Sequence, residues 1–178
     1  MDRSFAMRDQ NIGGLLWQFS LPAIVGMIIN ALYNIVDRIF VGRGIGFIAI
    51  AATTVAFPIM LISFAVAMLV GIGATALISI RLGQQKKEEA ERVAGSAAGM
   101  LIVLPSILAV IYLLFPDPIL RFFGSSEDVL PYARDFTNII MLGAPLGAIG
   151  FGLNNFIRAE GNPRLAMMTQ IIGGVTNV

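Results

Sequence analysis

The sequence has no cysteine and no histidine. Disulfides, thiol chemistry and the usual zinc and haem ligands are thereby excluded, and any proton handling falls to carboxylates. Charge is scarce as well. Asp, Glu, Lys and Arg make up 13% of the chain, against about 25% in an ordinary soluble domain. The net charge of +1 gives no nucleic-acid signal. No nucleophile–base pair and no metal cluster stands out, so the sequence offers neither an enzyme nor a cofactor. Residues 1–11 are polar. The apolar run after them is too long for a signal-peptide core and has no small-residue cleavage site, so no cleavable signal is expected.

What the chain has is apolar length. Of its 178 residues, 57% are hydrophobic. Charge-free runs cover residues 10–36, 44–80, 93–116 and 136–157, each enough for one membrane-spanning helix, which needs about 20 residues. The spacing predicts helix 1 at about 13–42, helix 2 at 47–81, helix 3 at 92–115 and helix 4 at 127–158. Pro58 has no turn cluster around it, so the second run reads as one long helix. Pro22 should kink the first. A partial fifth helix is expected at 163–178. Its apolar run, 165–178, reaches only roughly 20 Å against a hydrocarbon core of about 30 Å. The chain therefore reads as a fragment of a longer protein. The fold class is an all-α polytopic membrane protein with four full helices and part of a fifth.

Orientation follows from the basic residues. Arg3, Arg8, Arg81, Lys86, Lys87, Arg92, Arg158 and Arg164 fall on one side. The positive-inside rule places that side, with the N-terminus, in the cytoplasm. The segment 115–128 holds Pro116, Pro118, Gly124, Ser125 and Ser126 and reads as an external turn. Ser126, followed by Glu127 and Asp128, is the expected N-cap of helix 4. The glycine pairs Gly71/Gly73, Gly95/Gly99, Gly143/Gly147 and Gly150/Gly152 read as close helix packing. The nine methionines read as filler or lipid-facing side chains rather than a ligand surface.

Asp37 is the candidate functional residue. A carboxylate in a membrane helix costs on the order of 3 kcal/mol at the bilayer centre, so such residues usually face the protein interior and serve a purpose. Gly26, Asn30, Tyr33 and Asn34 share its helix face. An acid on a polar stripe is the pattern of a cation or proton site. Asn154 and Asn155 lie near the inner end of helix 4. Gln170 and Asn177 share a face of helix 5. These amides serve either as interhelical glue, worth roughly 0.6 kcal/mol each, or as the lining of a polar cavity.

The stretches SLPAIVGMIINALYNIVDRIFVGRGIG (20–46), GIGATALISIRLGQ (71–84) and NNFIRAEGNPRLAMMTQIIGGVTNV (154–178) together resemble the multidrug and toxic compound extrusion (MATE) family. The resemblance implies twelve membrane helices in two six-helix lobes, of which this chain is part of the N-lobe. It implies a plasma-membrane antiporter that expels cationic amphipathic compounds in exchange for H⁺ or Na⁺. The first-helix acid of the family is a cation or proton site, a role that falls to Asp37. The kink proline matches Pro22, and the aromatic one turn before the acid matches Tyr33. The fifth-helix Asn matches Asn177, and the family's Asp four residues further on would lie past Val178. Two other readings stay open: a lipid or oligosaccharide-lipid flippase of the same superfamily, and a truncated fragment that transports nothing.

Overall fold

The computed structural model describes the backbone of residues 12–177 and the side chains along it, except those of 15, 18, 19, 30, 33, 34, 37, 38, 40–45 and 177. The described residues form six helices: α1 Ile12–Ile45, α2 Phe47–Gly83, α3 Lys87–Leu114, α4 Pro116–Phe122, α5 Leu130–Ala159 and α6 Pro163–Asn177. None of them forms a strand. Only helices and closed barrels satisfy every backbone group in lipid, and this chain takes the first solution. The polar side chains on α2 follow the same rule. The hydroxyls of Thr53 and Thr54 donate to the Ile50 carbonyl at 2.9 and 2.8 Å, and Thr75 donates to the Gly71 carbonyl at 2.6 Å. Each returns its proton to the preceding turn rather than presenting it to lipid.

Helices α2, α3 and α5 are long and apolar enough to cross a membrane. They pack as a trio. One core cluster joins Ala52, Ile59, Ala109, Tyr112, Leu130, Ala133 and Met141, at the end closed by Leu120 of α4. The other joins Ala67, Ala74, Ile78, Ala90, Ala97, Leu101, Ala148 and Phe156, toward the α2–α3 turn. Alanine dominates the second cluster and recurs in the first, because small side chains let helix backbones approach where lipid gives no hydrophobic drive. Many of the other large apolar residues point outward: Leu69, Ile139 and Leu146 are all more than two-thirds exposed.

Three connections end in the same device. After α5, Gly161 takes φ +80. Its N–H reaches the Arg158 carbonyl at 3.0 Å, and that of Asn162 reaches Ile157 at 3.2 Å. Pro163 then starts α6. This is a Schellman closure, with glycine in the left-handed position and proline just after it. Gly124 closes α4 in the same way, with Ser125 N–H on Leu120 and Gly124 N–H on Arg121, both at 3.0 Å. At the end of α2 the left-handed position is held by Gln85, φ 61, a residue with a Cβ.

The segment 115–128, expected to be irregular, contains α4. Pro116 starts it because the missing N–H is not needed in a first turn. Ser126 does not cap α5 with its hydroxyl. Its carbonyl instead accepts the N–H groups of Val129 and Leu130 at 3.1 and 2.9 Å, and the helix starts at Leu130 rather than 127. Arg121, whose guanidinium holds both oxygens of Glu127, draws that acid away from the α5 N-terminus. Helix α3 starts at Lys87, before the expected 92. Glu88 and Glu89 occupy its first turn, where a helix end favours acids. Glu89 also bridges Lys86 at 3.0 Å and Arg81 at 3.2 Å, clasping the α2–α3 turn. Of the paired glycines, a Cβ added at Gly71 would lie 3.2 Å from the Phe151 ring, and one at Gly152 would overlap Leu101. Gly73, Gly95, Gly99, Gly143, Gly147 and Gly150 have nothing near them among the described residues and lie on outward faces.

Gln85→Gly removes a left-handed side chain worth about 1 kcal/mol of strain, and should raise thermal stability in detergent. The hydrogen bond from Lys86, with the nearby Lys86, Arg81 and Arg92 charges, holds the Glu89 carboxyl below its ordinary value. A lowered carboxylate pKa stabilises above the unfolded value and loses that contribution as pH falls through the folded one. Amide exchange in the α2–α3 turn should therefore accelerate below the ordinary glutamate range, and Glu89→Gln should remove that pH dependence.

Candidate functional site

The seam between α1 and α6 brings two residues of the sequence-predicted polar faces together, Gly26 and Gln170. Gly26 of α1 faces Gln170 of α6 so closely that a Cβ at Gly26 would overlap the Gln170 amide oxygen. One turn along, a Cβ at Gly174 would come within 2.9 Å of Ile29 Cγ2. Numbers rise together on both helices, so α1 and α6 run parallel. Gly26 is therefore the described member of the polar face that also carries positions 30, 33, 34 and 37. The side chains of Asn30, Tyr33, Asn34, Asp37 and Asn177 lie outside the described residues. By helical register, Asn177 on α6 is level with Tyr33 on α1, seven residues beyond each contact pair member. Pro22, one turn before Gly26, is buried inside α1. It leaves the carbonyl four residues earlier without its helical donor.

Gln170 Oε1 is buried and has no hydrogen-bond partner among the described residues. Asn154 has the opposite condition. Its Nδ2 donates to the Ala166 carbonyl and to Thr169 Oγ1, both at 2.8 Å, tying α5 to α6. Its Oδ1 accepts from Arg158 Nε at 3.2 Å. Thr169 in turn donates to the Ala166 carbonyl at 2.8 Å. Asn155 donates to the Phe151 carbonyl of its own helix at 2.9 Å. Asn154 and Asn155 thus spend their amides on helix ties.

A polar group that sequence reasoning missed lies at the α4 end. Thr137 is fully buried, Tyr112 is 2% exposed, and the two hydroxyls are neighbours in the core. Beside them Arg134 faces Asp117 at 3.5 Å, an ionic contact too poorly directed to be a hydrogen bond. Tyr112 also borders a cavity of about 120 Å³, lined otherwise by Ile59, Ile62, Ser63, Leu108, Met141 and other apolar residues. None of the sequence-predicted residues is among its described lining. Thr137 gave no signal because a single threonine in an apolar run reads like any other.

A model of the MatE family matches residues 22–178, nearly the whole chain. The chain belongs to the MatE family. Among its relatives, the multidrug export protein MepA of Staphylococcus haemolyticus is 29% identical, over 94% of this chain and 37% of that protein. An FAD transporter of Shewanella oneidensis is 26% identical over the same shares. Among solved structures, the MATE multidrug transporter DinF-BH is 39% identical and superposes with a TM-score of 0.85, covering 92% of this chain and 37% of that one. The chain spans just over a third of the length of these MatE relatives. It is a multi-pass membrane protein of a transporter family, and its all-helical architecture is theirs.

Asn154 in this MatE chain fixes α5 against α6 with two donated bonds, while its oxygen accepts from Arg158 of its own helix. Asn154→Ala should lower stability by about 1–2 kcal/mol, seen as a lower melting temperature in detergent. Asn155→Ala, which breaks only a bond within its own helix, should cost less.

Proposed function

We propose that this chain forms part of the N-lobe of a plasma-membrane antiporter that expels cationic amphipathic compounds in exchange for H⁺ or Na⁺. The N-terminus lies in the cytoplasm, and Asp37 takes the coupling cation. The observation that supports this best is the parallel α1–α6 seam. It sets Gly26, one position of the first-helix polar face, against the helix that carries Gln170 and Asn177. Asp37 lies eleven positions past Gly26, and the same step from Gln170 falls four residues beyond Asn177. That is the place where the MATE resemblance puts a second acid, so two carboxylates would sit level across one seam.

A cation bound there neutralises Asp37 and removes the cost of burying its charge. Helix α1 then repacks around Pro22. Coupling requires that the drug bind the two arrangements differently. Asn30, Tyr33 and Asn34 supply neutral oxygen ligands along the same face, and Asn177 supplies one from α6. The relative that carries FAD favours a second reading, in which the exported compound is a nucleotide-like anion and only the ion site is shared.

Asp37→Asn in the full-length transporter should abolish ethidium efflux from cells while leaving the amount of membrane-inserted protein unchanged. Efflux at the normal rate would overturn the assignment of Asp37. Export of FAD without export of ethidium by the unaltered protein would favour the second reading.

A further inference from the structure

We propose that Gln170 is a positioning residue of the transport cycle: it latches α6 onto α1 at the Pro22 hinge and must withdraw for α1 to move. The proposal deepens the antiporter reading above and rests on it for its role in transport, though not for the latch itself.

Three observations carry it. First, the seam is keyed in both directions. Gln170 occupies the notch left by the missing side chain of Gly26, and Ile29 occupies the notch left by Gly174. The two keys lie one helical turn apart, so neither helix can slide or tilt without unseating one of them. Second, the key sits at the weak point of α1. Pro22 and Gly26 span one turn. Pro22 removes a backbone donor and Gly26 has the least conformational restraint of any residue, so bending concentrates there. Third, the key is not fully satisfied. The amide oxygen that enters the notch is buried without a hydrogen-bond partner among the described residues. A buried acceptor left unpaired is held at a cost, and any arrangement that gives it a donor or water recovers that cost. The seated position is held by shape and opposed by polarity. A latch of this kind closes and also lets go.

The chemistry separates the two properties. Gln170→Met keeps the length of the side chain and removes the unpaired oxygen, so the key should seat and stay. Gln170→Ala removes the key. Spin labels at I28C and I172C, two exposed positions flanking the seam, report the α1–α6 separation in the full-length transporter in nanodiscs, with cysteines elsewhere replaced. With ethidium present, the unaltered seam should show two separations. Gln170→Met should collapse them to the shorter and Gln170→Ala to the longer. Both variants should lower the maximal efflux rate several-fold with the KM for ethidium unchanged. Gln170→Met retains side-chain volume, so it guards against a result that reflects misfolding alone.

If both variants give the unaltered distance distributions with and without ethidium, the latch is wrong. A changed KM with unchanged distances also overturns it, since Gln170 would then be touching the dye. The two readings fail separately. Distances that shift as predicted in a protein whose ethidium efflux survives Asp37→Asn leave the latch standing and remove the ion-site assignment. Efflux lost in Asp37→Asn with no distance response to Gln170 does the reverse.

Discussion

Helices in lipid gain nothing hydrophobic by touching one another, so what holds them is how closely their backbones approach. The bundle depends on that constraint. Alanine is the commonest buried residue of α2, α3 and α5, and the closest crossings sit where a Cβ is missing altogether. Leu101 enters above Gly152, the Phe151 ring lies over Gly71, and Gln170 and Ile29 key into Gly26 and Gly174. Many leucines and isoleucines, the core of a soluble protein, are turned outward here, while Leu101, Leu120, Ile59 and Ile78 stay inside. The polar ties are few and specific. Asn154 reaches two acceptors on α6, and Arg121 folds the α4–α5 connection onto Glu127.

Much of the architecture was legible because the membrane imposes one rule on length and another on charge. A charge-free run of twenty or more residues has few alternatives to a helix, and the Gly161–Asn162–Pro163 sequence spells out its own stop and start. What was not legible depends on facing. The glycines at 95, 99, 143 and 147 carry the same small-residue spacing as those that pack, yet they point outward. Spacing alone cannot say which side of a uniformly apolar helix meets a neighbour. Helix α4 was missed because a seven-residue segment that opens on two prolines looks like a turn. Gln85 was missed because nothing in its chemistry announces a left-handed backbone.

The candidate site was legible to a different degree. The polar stripe from Gly26 to Asp37 could be drawn from a helical wheel, and Gly26 does meet Gln170, which a wheel of α6 had grouped with Asn177. That Asn154 is committed to α6 through Ala166 and Thr169 needed the partner helix in place, since an asparagine near a helix end is equally suited to gluing and to lining. The buried Tyr112–Thr137 pair left no mark in the sequence.

The spacing of the seam has a geometric consequence. Its keys are three residues apart on α1 and four apart on α6. Ridges of those two kinds interleave at a crossing angle of about 20°. Asp37 lies eleven residues past Gly26, roughly 16 Å along the axis at 1.5 Å per residue. Over that length two axes at about 20° drift roughly 6 Å sideways from one another. A grip of this kind is local, tightest at its keys and looser with each turn beyond them.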